Sequence, residues 1–447
     1  MLFRSDNSSR ERQNEFTFDA NGFRSLFTNL YATVNRSNSV LDNIQPESDI
    51  KKRAIAEAKV FRGLSYLYLV SFWGTPPLVL KVLPNQSEYA QPNGNTAEIW
   101  AQIETDFTEA INSGYLIEKK SLDDKTQGYR VTKHAAQAFL GKAYVFQKKW
   151  SEACSIFDEI INSGLYGLYE GEYENIMRTV ADNCRETILE INYVRDLANP
   201  SNSNFIGIFS QGWRHDKMSL NDGYGISHDL MPNGNGFFSP TKDLYDAFVA
   251  REGVDGYRLN STIKTYEQVK AISTEHPITI NEGTYLYGHE GYFFWKHRLV
   301  GSESIPGVNQ CFESNVKVMR YAEVLLLAAE AHIQGGNADK AKTYINEIRT
   351  RAKLPELGSV TMDDVKIEKR LELCHEGIRF NDLIRWGDAA ETLKNQGEKI
   401  PVFYYDSRVE YPYTNTQYGF KVGKHELLPF PQDEIAVNLN LKQNPGW

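Results

Sequence analysis

The densest set of side chains that could do chemistry lies in the stretch RLELCHEGIRFNDLIRWG, near the carboxyl end of the chain. The members that could act together are Glu376, Arg379, Asp382, Arg385 and Trp386. Because residues three and four apart share one face of a helix, we expect Glu376, Arg379 and Asp382 to lie close together and form charge-assisted hydrogen bonds. Such a network can fix helix packing without breaking a bond. We therefore predict that these five residues are structural and not catalytic.

No other motif in the sequence marks a metal or cofactor site. The His-Glu pairs that begin at His289 and His375 lack the second histidine of a zinc-protease helix. The Gly-x-Gly pairs that begin at Gly223 and Gly234 lack the third glycine of a dinucleotide-binding loop. A phosphate-binding loop and a GxSxG nucleophile elbow are missing as well. We predict no metal, no cofactor and no catalytic residue.

Aromatic residues concentrate in the middle of the chain, where helical periodicity fades and Gly, Asn, Ser and Pro become frequent. Between Phe205 and Trp295, sixteen of 91 residues are Phe, Tyr or Trp, against 12% in the whole chain. A loop-rich insert with surplus aromatics on a rigid frame is typical of a binding surface. The side chains that we predict to contact a ligand here are Trp213, Tyr224, Phe237, Phe238 and Tyr287, with Asn221, Asp222 and Arg214 as polar partners.

Apolar residues at helical spacing surround this insert and predict the frame that positions it. The predicted helices are 50–73, 95–112, 131–147, 151–162, 317–334 and 337–352. Gly141, Ala153 and Phe157 have the offsets of a tetratricopeptide repeat, which needs a small residue where two helices cross. We predict one mostly α domain, a tetratricopeptide-like helix-pair solenoid. Its frame covers about 15–165 and 314–400, the insert about 166–313, and an irregular segment 401–447.

Bulk composition excludes several partners. The net charge of -9 and the pI of about 5.6 argue against nucleic acid, which favours a basic surface. The four cysteines have neither a zinc-site nor a disulfide-framework spacing. Apolar runs fall short of the roughly 18 residues of a membrane span, and the first residues lack the apolar core of a signal peptide.

Five blocks of this sequence, in order, resemble the SusD/RagB family of Bacteroidetes outer-membrane nutrient-binding lipoproteins. They are AEAKVFRGLSYLYLVSFWGTPPLVL, VTKHAAQAFLGKAYVFQKKWSEA, MRYAEVLLLAAEA with YINEIRTRAKLP, RLELCHEGIRFNDLIRWG, and LPFPQDEIAVNLNLKQNPGW. The resemblance runs from about residue 29 to the end. It implies a SusD-like α-α superhelix of four tetratricopeptide-like helix pairs.

The resemblance also implies a function. Members of this family bind an oligosaccharide or polysaccharide at the cell surface for a SusC-like TonB-dependent outer-membrane transporter. Their ligand contacts come largely from the insert and from the loop after the aromatic-Gly-x-x-Pro turn, which here holds Tyr89. Family members begin with a signal peptide and a lipobox cysteine. Because the first cysteine here is Cys154, we expect membrane attachment only through an N-terminal lipid anchor that this sequence does not contain.

Two other functions stay open at this stage. A peptide-binding tetratricopeptide protein would use the concave face of its repeats. A glycoside hydrolase would need two carboxylates about 5 to 10 Å apart, and 58 acidic residues make some such pair available by chance. Glycan binding asks for less, since the apolar C–H faces of a sugar ring stack on flat aromatic rings while amide and charged groups bond its hydroxyls.

Overall fold

Helices make up most of the regular structure in the computed structural model of this chain. The structure describes residues 2–3, 14–126, 128–194, 196, 198–199, 204, 213, 217–220, 234, 236, 238–272, 278–305 and 311–447. Within these residues the helices are α1 (Arg24–Asn43), α2 (Asp49–Trp73), α3 (Thr96–Asn112), α4 (Lys133–Phe146), α5 (Trp150–Asn162), α6 (Lys242–Glu252), α7 (Tyr257–Thr262), α8 (Tyr266–Lys270), α9 (Tyr321–Gln334), α10 (Ala338–Arg351), α11 (Met362–Glu372), α12 (Arg379–Trp386), α13 (Ala389–Leu393) and α14 (Gln432–Val437).

Consecutive helices pack on one another and confirm the helix-pair frame. Each of α1 to α4 packs against the next helix, and α9 packs against α5, α10 and α11. The insert therefore leaves the frame after α5, and α9 continues the same stack. Gly141 lies where α4 crosses α5, and a Cβ atom there would stand 2.6 Å from the Phe157 ring. This is the small residue that the repeat pattern requires at a close crossing.

Side-chain caps fix where several of these helices begin. The Asn95 side chain accepts hydrogen bonds from the amides of Ala97 and Glu98 at the start of α3. Thr132 does the same at α4 by accepting from the amide of Ala135. These caps satisfy amides that have no partner inside the helix.

Eleven short strands are present among the described residues. They are β1 (Leu2–Phe3), β2 (Thr187–Ile191), β3 (Met218–Leu220), β4 (Phe238–Ser239), β5 (Ile263–Thr265), β6 (Ile278–Ile280), β7 (Tyr285–Tyr287), β8 (Tyr292–Phe294), β9 (Val316–Arg320), β10 (Lys399–Tyr404) and β11 (Val409–Thr414). All pairs are antiparallel: β1 with β4, β2 with β9, β3 with β6, β5 with β8, and β7 and β11 on either side of β10.

The pairing of β2 with β9 closes the base of the insert. It joins the chain soon after α5 to the chain just before α9. The predicted helix 317–334 was therefore wrong at its start, because residues 316–320 form β9 and the helix begins at Tyr321. The five side chains of residues 316–320 are apolar or long and fit the periodicity of a helix as well as that of a strand. Pairing with β2 makes this segment a strand.

The two largest hydrophobic clusters among the described residues support this arrangement. The larger lies between the frame helices and includes Trp73, Phe107 and Leu326. A second joins the insert to β10 and is built around Trp213, Trp295 and Phe403. No helix in the described part of the chain combines the length and hydropathy needed to cross a membrane.

Candidate functional site

Four tyrosines share one face of the three-stranded sheet, which we call the tyrosine face. They are Tyr285, Tyr287, Tyr404 and Tyr413. The rings of Tyr285 and Tyr404 lie 5.8 Å apart, and those of Tyr287 and Tyr413 lie 5.4 Å apart. Tyr285 is 40% exposed and Tyr413 46% exposed, while the other two are partly buried. The face thus presents two pairs of aromatic rings at the protein surface.

Strand register explains why these rings point the same way. Tyr404 pairs with Tyr285, and Val402 pairs with both Tyr287 and Glu410. Because successive side chains along a strand alternate between its two sides, Tyr404, Val402 and the residues paired with them lie on the same side of the sheet. Between Glu410 and Tyr413, β11 carries one residue more than β10 does opposite it. Such a bulge reverses the alternation, so Tyr413 returns to the side of Glu410.

Tyr411 lies within that bulge and has a partner outside the tyrosine face. The hydroxyl of Tyr411 donates a hydrogen bond of 2.6 Å to Glu290 Oε1. Burial, followed by this hydrogen bond and the charge of Glu290, raises the pKa of Tyr411 above its usual value. Tyr411 is itself 47% exposed, so the bulge separates a tyrosine whose hydroxyl is held by Glu290 from those on the tyrosine face.

The inner side of the sheet is anchored in the core of the insert. Leu286 on β7 and Phe403 on β10 are both buried in the cluster that contains Trp213 and Trp295. Phe403 also packs edge-on against Tyr266 at 5.2 Å. Because one side is fixed in a packed core, the tyrosine face is held on a rigid base and pays little conformational entropy on binding a ligand.

Charged groups adjoin the aromatic rings at the tip of the β10–β11 hairpin. Arg408 Nη1 donates a 2.7 Å hydrogen bond to Glu410 Oε1, and its guanidinium lies 4.4 Å from the centre of the Tyr404 ring. Asp406 forms a longer ion pair with Arg408, at 3.6 Å. Desolvation and then the charge of Glu410 raise the pKa of Tyr404. These groups can exchange hydrogen bonds with sugar hydroxyls beside the rings.

The structure places the predicted ligand-binding residues in different surroundings. Tyr287 lies on the tyrosine face. Trp213 is only 2% exposed and packs 6.4 Å from Trp295, so the expectation that it presents its ring to a ligand was wrong. Polar neighbours in the sequence suggested an exposed loop, but the core beneath the sheet needs a large apolar side chain. Phe238 is partly buried against His375, with ring centres 5.3 Å apart. The remaining predicted contacts, Arg214, Asn221, Asp222, Tyr224 and Phe237, lie outside the described residues.

Tyr89 lies on a second surface and is far in sequence from the strands of the sheet. It is 58% exposed and lines an open cleft of about 440 Å³ whose lining also includes Tyr31, Asn35 and Leu83. The C-terminal segment holds its loop in place, since Asn440 Nδ2 donates a 2.7 Å hydrogen bond to the Ala90 carbonyl. The cleft combines an exposed ring with amide side chains, as expected of a small glycan contact.

The five residues of the predicted network form hydrogen bonds and cation–ring contacts, but several of their partners differ from the expectation. Glu376 lies before α12, in a turn where His375 and Gly377 have positive φ angles, so it shares no helical face with Arg379 or Asp382. Glu376 instead accepts hydrogen bonds from Arg320 Nε at 2.8 Å and Lys296 Nζ at 2.9 Å. Burial raises the pKa of Glu376, but these two cations outweigh it and lower the pKa overall.

Asp382, Arg385 and Trp386 form a separate set of contacts. Arg385 Nη2 donates to Asp382 Oδ1 at 2.7 Å and to Glu330 Oε2 at 2.6 Å. Trp386 Nε1 donates to Glu330 Oε1 at 2.8 Å. These bonds tie α12 to α9. Burial opposes ionisation of Asp382, but Lys369 and Arg385 outweigh it and lower its pKa, whereas a general acid needs a raised pKa. Arg379 stacks beside Trp386 at 5.8 Å.

Among the residues that the structure describes, no group of three or more His, Cys, Asp or Glu side chains could hold a metal ion. The four cysteines are free thiols. Burial raises the pKa of Cys154 to about 11, so that thiol is protonated and unreactive at neutral pH.

Two family models match this chain. Residues 287–447 match the model described as the SusD family, and residues 2–145 match one described as starch-binding associating with outer membrane. The chain belongs to the SusD/RagB family. A SusD-like protein of Bacteroides ovatus is 23% identical over 94% of this chain and 80% of its own length. SusD-like protein P2 of Formosa agariphila is 25% identical over 98% of this chain and 84% of its own length.

Solved SusD-like structures share the fold. A laminarin-binding SusD-like protein aligns over 100% of this chain and 91% of its own, with a TM-score of 0.81 and 24% identity. Surface glycan-binding protein A of Bacteroides thetaiotaomicron, in complex with laminarihexaose, aligns over 99% and 91%, with a TM-score of 0.77 and 22% identity. These likenesses confirm the predicted SusD-like helical architecture.

Sequence reasoning missed most of the tyrosine face. Tyr404, Glu410 and Tyr413 lie in the segment that was predicted to be irregular. A signal was present, because the runs KIPVFYY and VEYPYT flank a short polar turn and predict a hairpin. This signal does not predict that β10 also pairs with β7, a pairing that brings Tyr285 and Tyr287 beside the hairpin.

Proposed function

We propose that this SusD-like protein captures glycans at the cell surface and breaks no bond in them. The observation that carries the proposal is the tyrosine face, where two pairs of rings lie on a rigid sheet beside hydrogen-bonding groups. Sugar rings stack on such surfaces through their apolar faces. Similar structures named as laminarin-binding and as a laminarihexaose complex support the same class of ligand.

The captured glycan would pass to a partner TonB-dependent outer-membrane transporter, with the protein lipid-anchored at the cell surface. Membership of the family and the description of the matching model support this placement. A shallow aromatic site binds weakly by itself. Holding the glycan beside a transporter pore would raise its effective concentration there and make weak capture sufficient. Co-purification of a TonB-dependent transporter with the tagged protein from native outer membranes tests this step.

Isothermal titration with laminarihexaose and with other plant and algal oligosaccharides tests glycan capture. We expect at least one oligosaccharide to bind and to be recovered uncleaved. Tyr413→Ala and Tyr285→Ala should each weaken binding about tenfold, or about 1.4 kcal/mol. Tyr129→Ala is the matched control, because Tyr129 is 70% exposed and belongs to neither surface.

Other outcomes would redirect the assignment. Unchanged affinity in both tyrosine-face variants, together with a loss in Tyr89→Ala, would move the glycan site to the cleft. Cleaved products would contradict the non-catalytic proposal. Binding of peptides in place of every glycan would favour the tetratricopeptide alternative.

A further inference from the structure

The position of Glu410 sets a charge condition on any ligand of the tyrosine face. Glu410 on β11 pairs with Val402 on β10, which in turn pairs with Tyr287 on β7, so these three residues form one row across the sheet. On the same face of the sheet, the neighbouring row in one direction contains Tyr404, and the neighbouring row in the other direction contains Tyr413. Glu410 therefore lies on the edge strand of the face, next to Tyr404 and Tyr413. A sugar stacked on these rings lies within a few ångströms of it.

The neighbouring charges do not neutralise this carboxylate completely. Arg408 is the basic partner of both acids, at 2.7 Å from Glu410 and 3.6 Å from Asp406. One guanidinium against two carboxylates gives this hairpin tip a net charge of -1. The raised pKa of Tyr404 reflects the same field, since the charge of Glu410 contributes to it after desolvation. An anionic ligand would meet like charge at the β11 edge of the face and gain only a shared arginine.

The spacing of the two ring pairs sets a second condition. Tyr285 and Tyr287 lie two residues apart on β7, and so about 7 Å apart along the strand. That distance is comparable with the length of one sugar residue. A ligand that follows the strand can therefore place one sugar on the Tyr285–Tyr404 pair and the next on the Tyr287–Tyr413 pair.

We infer that the tyrosine face selects uncharged glycan chains of at least two consecutive stacked sugars, and that Glu410 is the residue that discriminates against acidic glycans. This inference rests on the proposed function, since it names the ligand class of the same site. Glu410 accepts hydrogen bonds from the hydroxyls of a neutral sugar, a contact that a carboxylate or sulfate group cannot provide. Repulsion between like charges supplies the remainder of the discrimination.

A matched pair of ligands isolates the charge effect. Laminarihexaose and the same hexasaccharide with its C6 hydroxyls oxidised to carboxylates differ in charge but not in linkage or length. We expect the oxidised form to bind at least tenfold more weakly at low ionic strength. This difference in affinity between the two hexasaccharides should shrink as the salt concentration rises, because exposed charges are screened. Glucose should bind far more weakly than laminaribiose, since it can occupy only one ring pair.

Variants at the hairpin assign the effect to one residue. Glu410→Gln should raise the affinity for the oxidised hexasaccharide severalfold and narrow the gap between the two ligands. Glu391→Gln removes an acid whose side chain is 82% exposed on a frame helix, and it should leave the gap unchanged. A gel-mobility panel extends the test to neutral laminarin, xyloglucan and galactomannan and to acidic polygalacturonate and alginate.

The outcomes separate this inference from the proposed function. Equal affinity for the two hexasaccharides, or a gap that Glu410→Gln does not narrow, overturns charge selection while glycan capture stands. Retardation by the acidic polysaccharides alone also overturns it. If no glycan in the titrations or the gel panel binds, the proposed function fails and this inference fails with it.

Discussion

Replacing Glu372 with glutamine, a nearly isosteric change, should destabilise the fold strongly. Glu372 ends α11 at the centre of a buried charge cluster. Its carboxylate accepts hydrogen bonds from Arg351 at 2.6 Å, from Arg320 at 3.1 Å and from Arg258 at 3.2 Å. The hydroxyl of Tyr173 donates a further bond at 3.1 Å. All of these groups are shielded from water, so none can turn to solvent when the charge is lost.

The magnitude follows from burial. Removing one partner of a buried ion pair costs about 3–5 kcal/mol, and here Arg258, Arg320 and Arg351 lose one of the carboxylates that offset their desolvation. The entropy of unfolding of about 2.1 cal/mol/K per residue gives roughly 0.9 kcal/mol/K for the 447 residues of this chain. Dividing the free-energy change by this entropy of unfolding predicts a decrease in Tm of about 3–5 °C for cooperative unfolding. Glutamine keeps the size and one acceptor, so packing contributes little to the difference.

Thermal unfolding followed by circular dichroism at pH 7 measures this decrease. The control is Glu391→Gln, which removes an exposed carboxylate paired with Lys394 and should change the free energy of unfolding by less than about 1 kcal/mol. Burial opposes ionisation of Glu372, but Arg351, Arg320 and Arg258 outweigh it and lower its pKa. A lowered folded-state pKa gives stability that is present above the unfolded value near 4.5 and is lost as the pH falls below it.

The difference between wild type and Glu372→Gln should therefore be largest at neutral pH and shrink below about pH 4.5. Equal Tm values for Glu372→Gln and Glu391→Gln at pH 7 would refute the account of a buried, fully compensated network. A difference that grows on acidification would refute the assigned direction of the pKa shift.

Three further changes test other parts of the structure. Gly141→Ala should lower the free energy of unfolding by about 1–3 kcal/mol, because its Cβ would overlap the Phe157 ring, and urea denaturation measures this. Trp213→Ala should cost about 3–5 kcal/mol in the same assay, since the indole is buried; a stable variant that loses only glycan binding would contradict this. Burial raises the pKa of Asp182 to about 7 beside Lys317, so its stabilising effect is present at low pH and lost as the pH rises through 7. The Tm of Asp182→Asn relative to wild type should rise between about pH 4 and about pH 8, and a constant difference would argue against that shift.

The helical frame could be predicted from the sequence because its determinants are local. Apolar periodicity and the Asn95 cap placed α3 within a residue of its observed bounds. The Gly141 and Phe157 offsets identified a close helix crossing before any coordinates. The start of α9 could not be placed, because residues 316–320 became a strand only through pairing with β2, which lies about 125 residues earlier in the chain.

The sequence by itself determined the family, the helix pairs and the concentration of aromatic residues around the insert. These properties depend on short-range spacing and on composition, both of which are written directly in the chain. Only the tertiary structure decided which aromatics face outward. Trp213 and Tyr287 both belong to the aromatic-rich insert, yet one fills the core beneath the sheet and the other lies on its outer face. Strand register decides the side for Tyr287, and a one-residue bulge decides it for Tyr413, because each residue of shift in a strand reverses the side to which its side chains point.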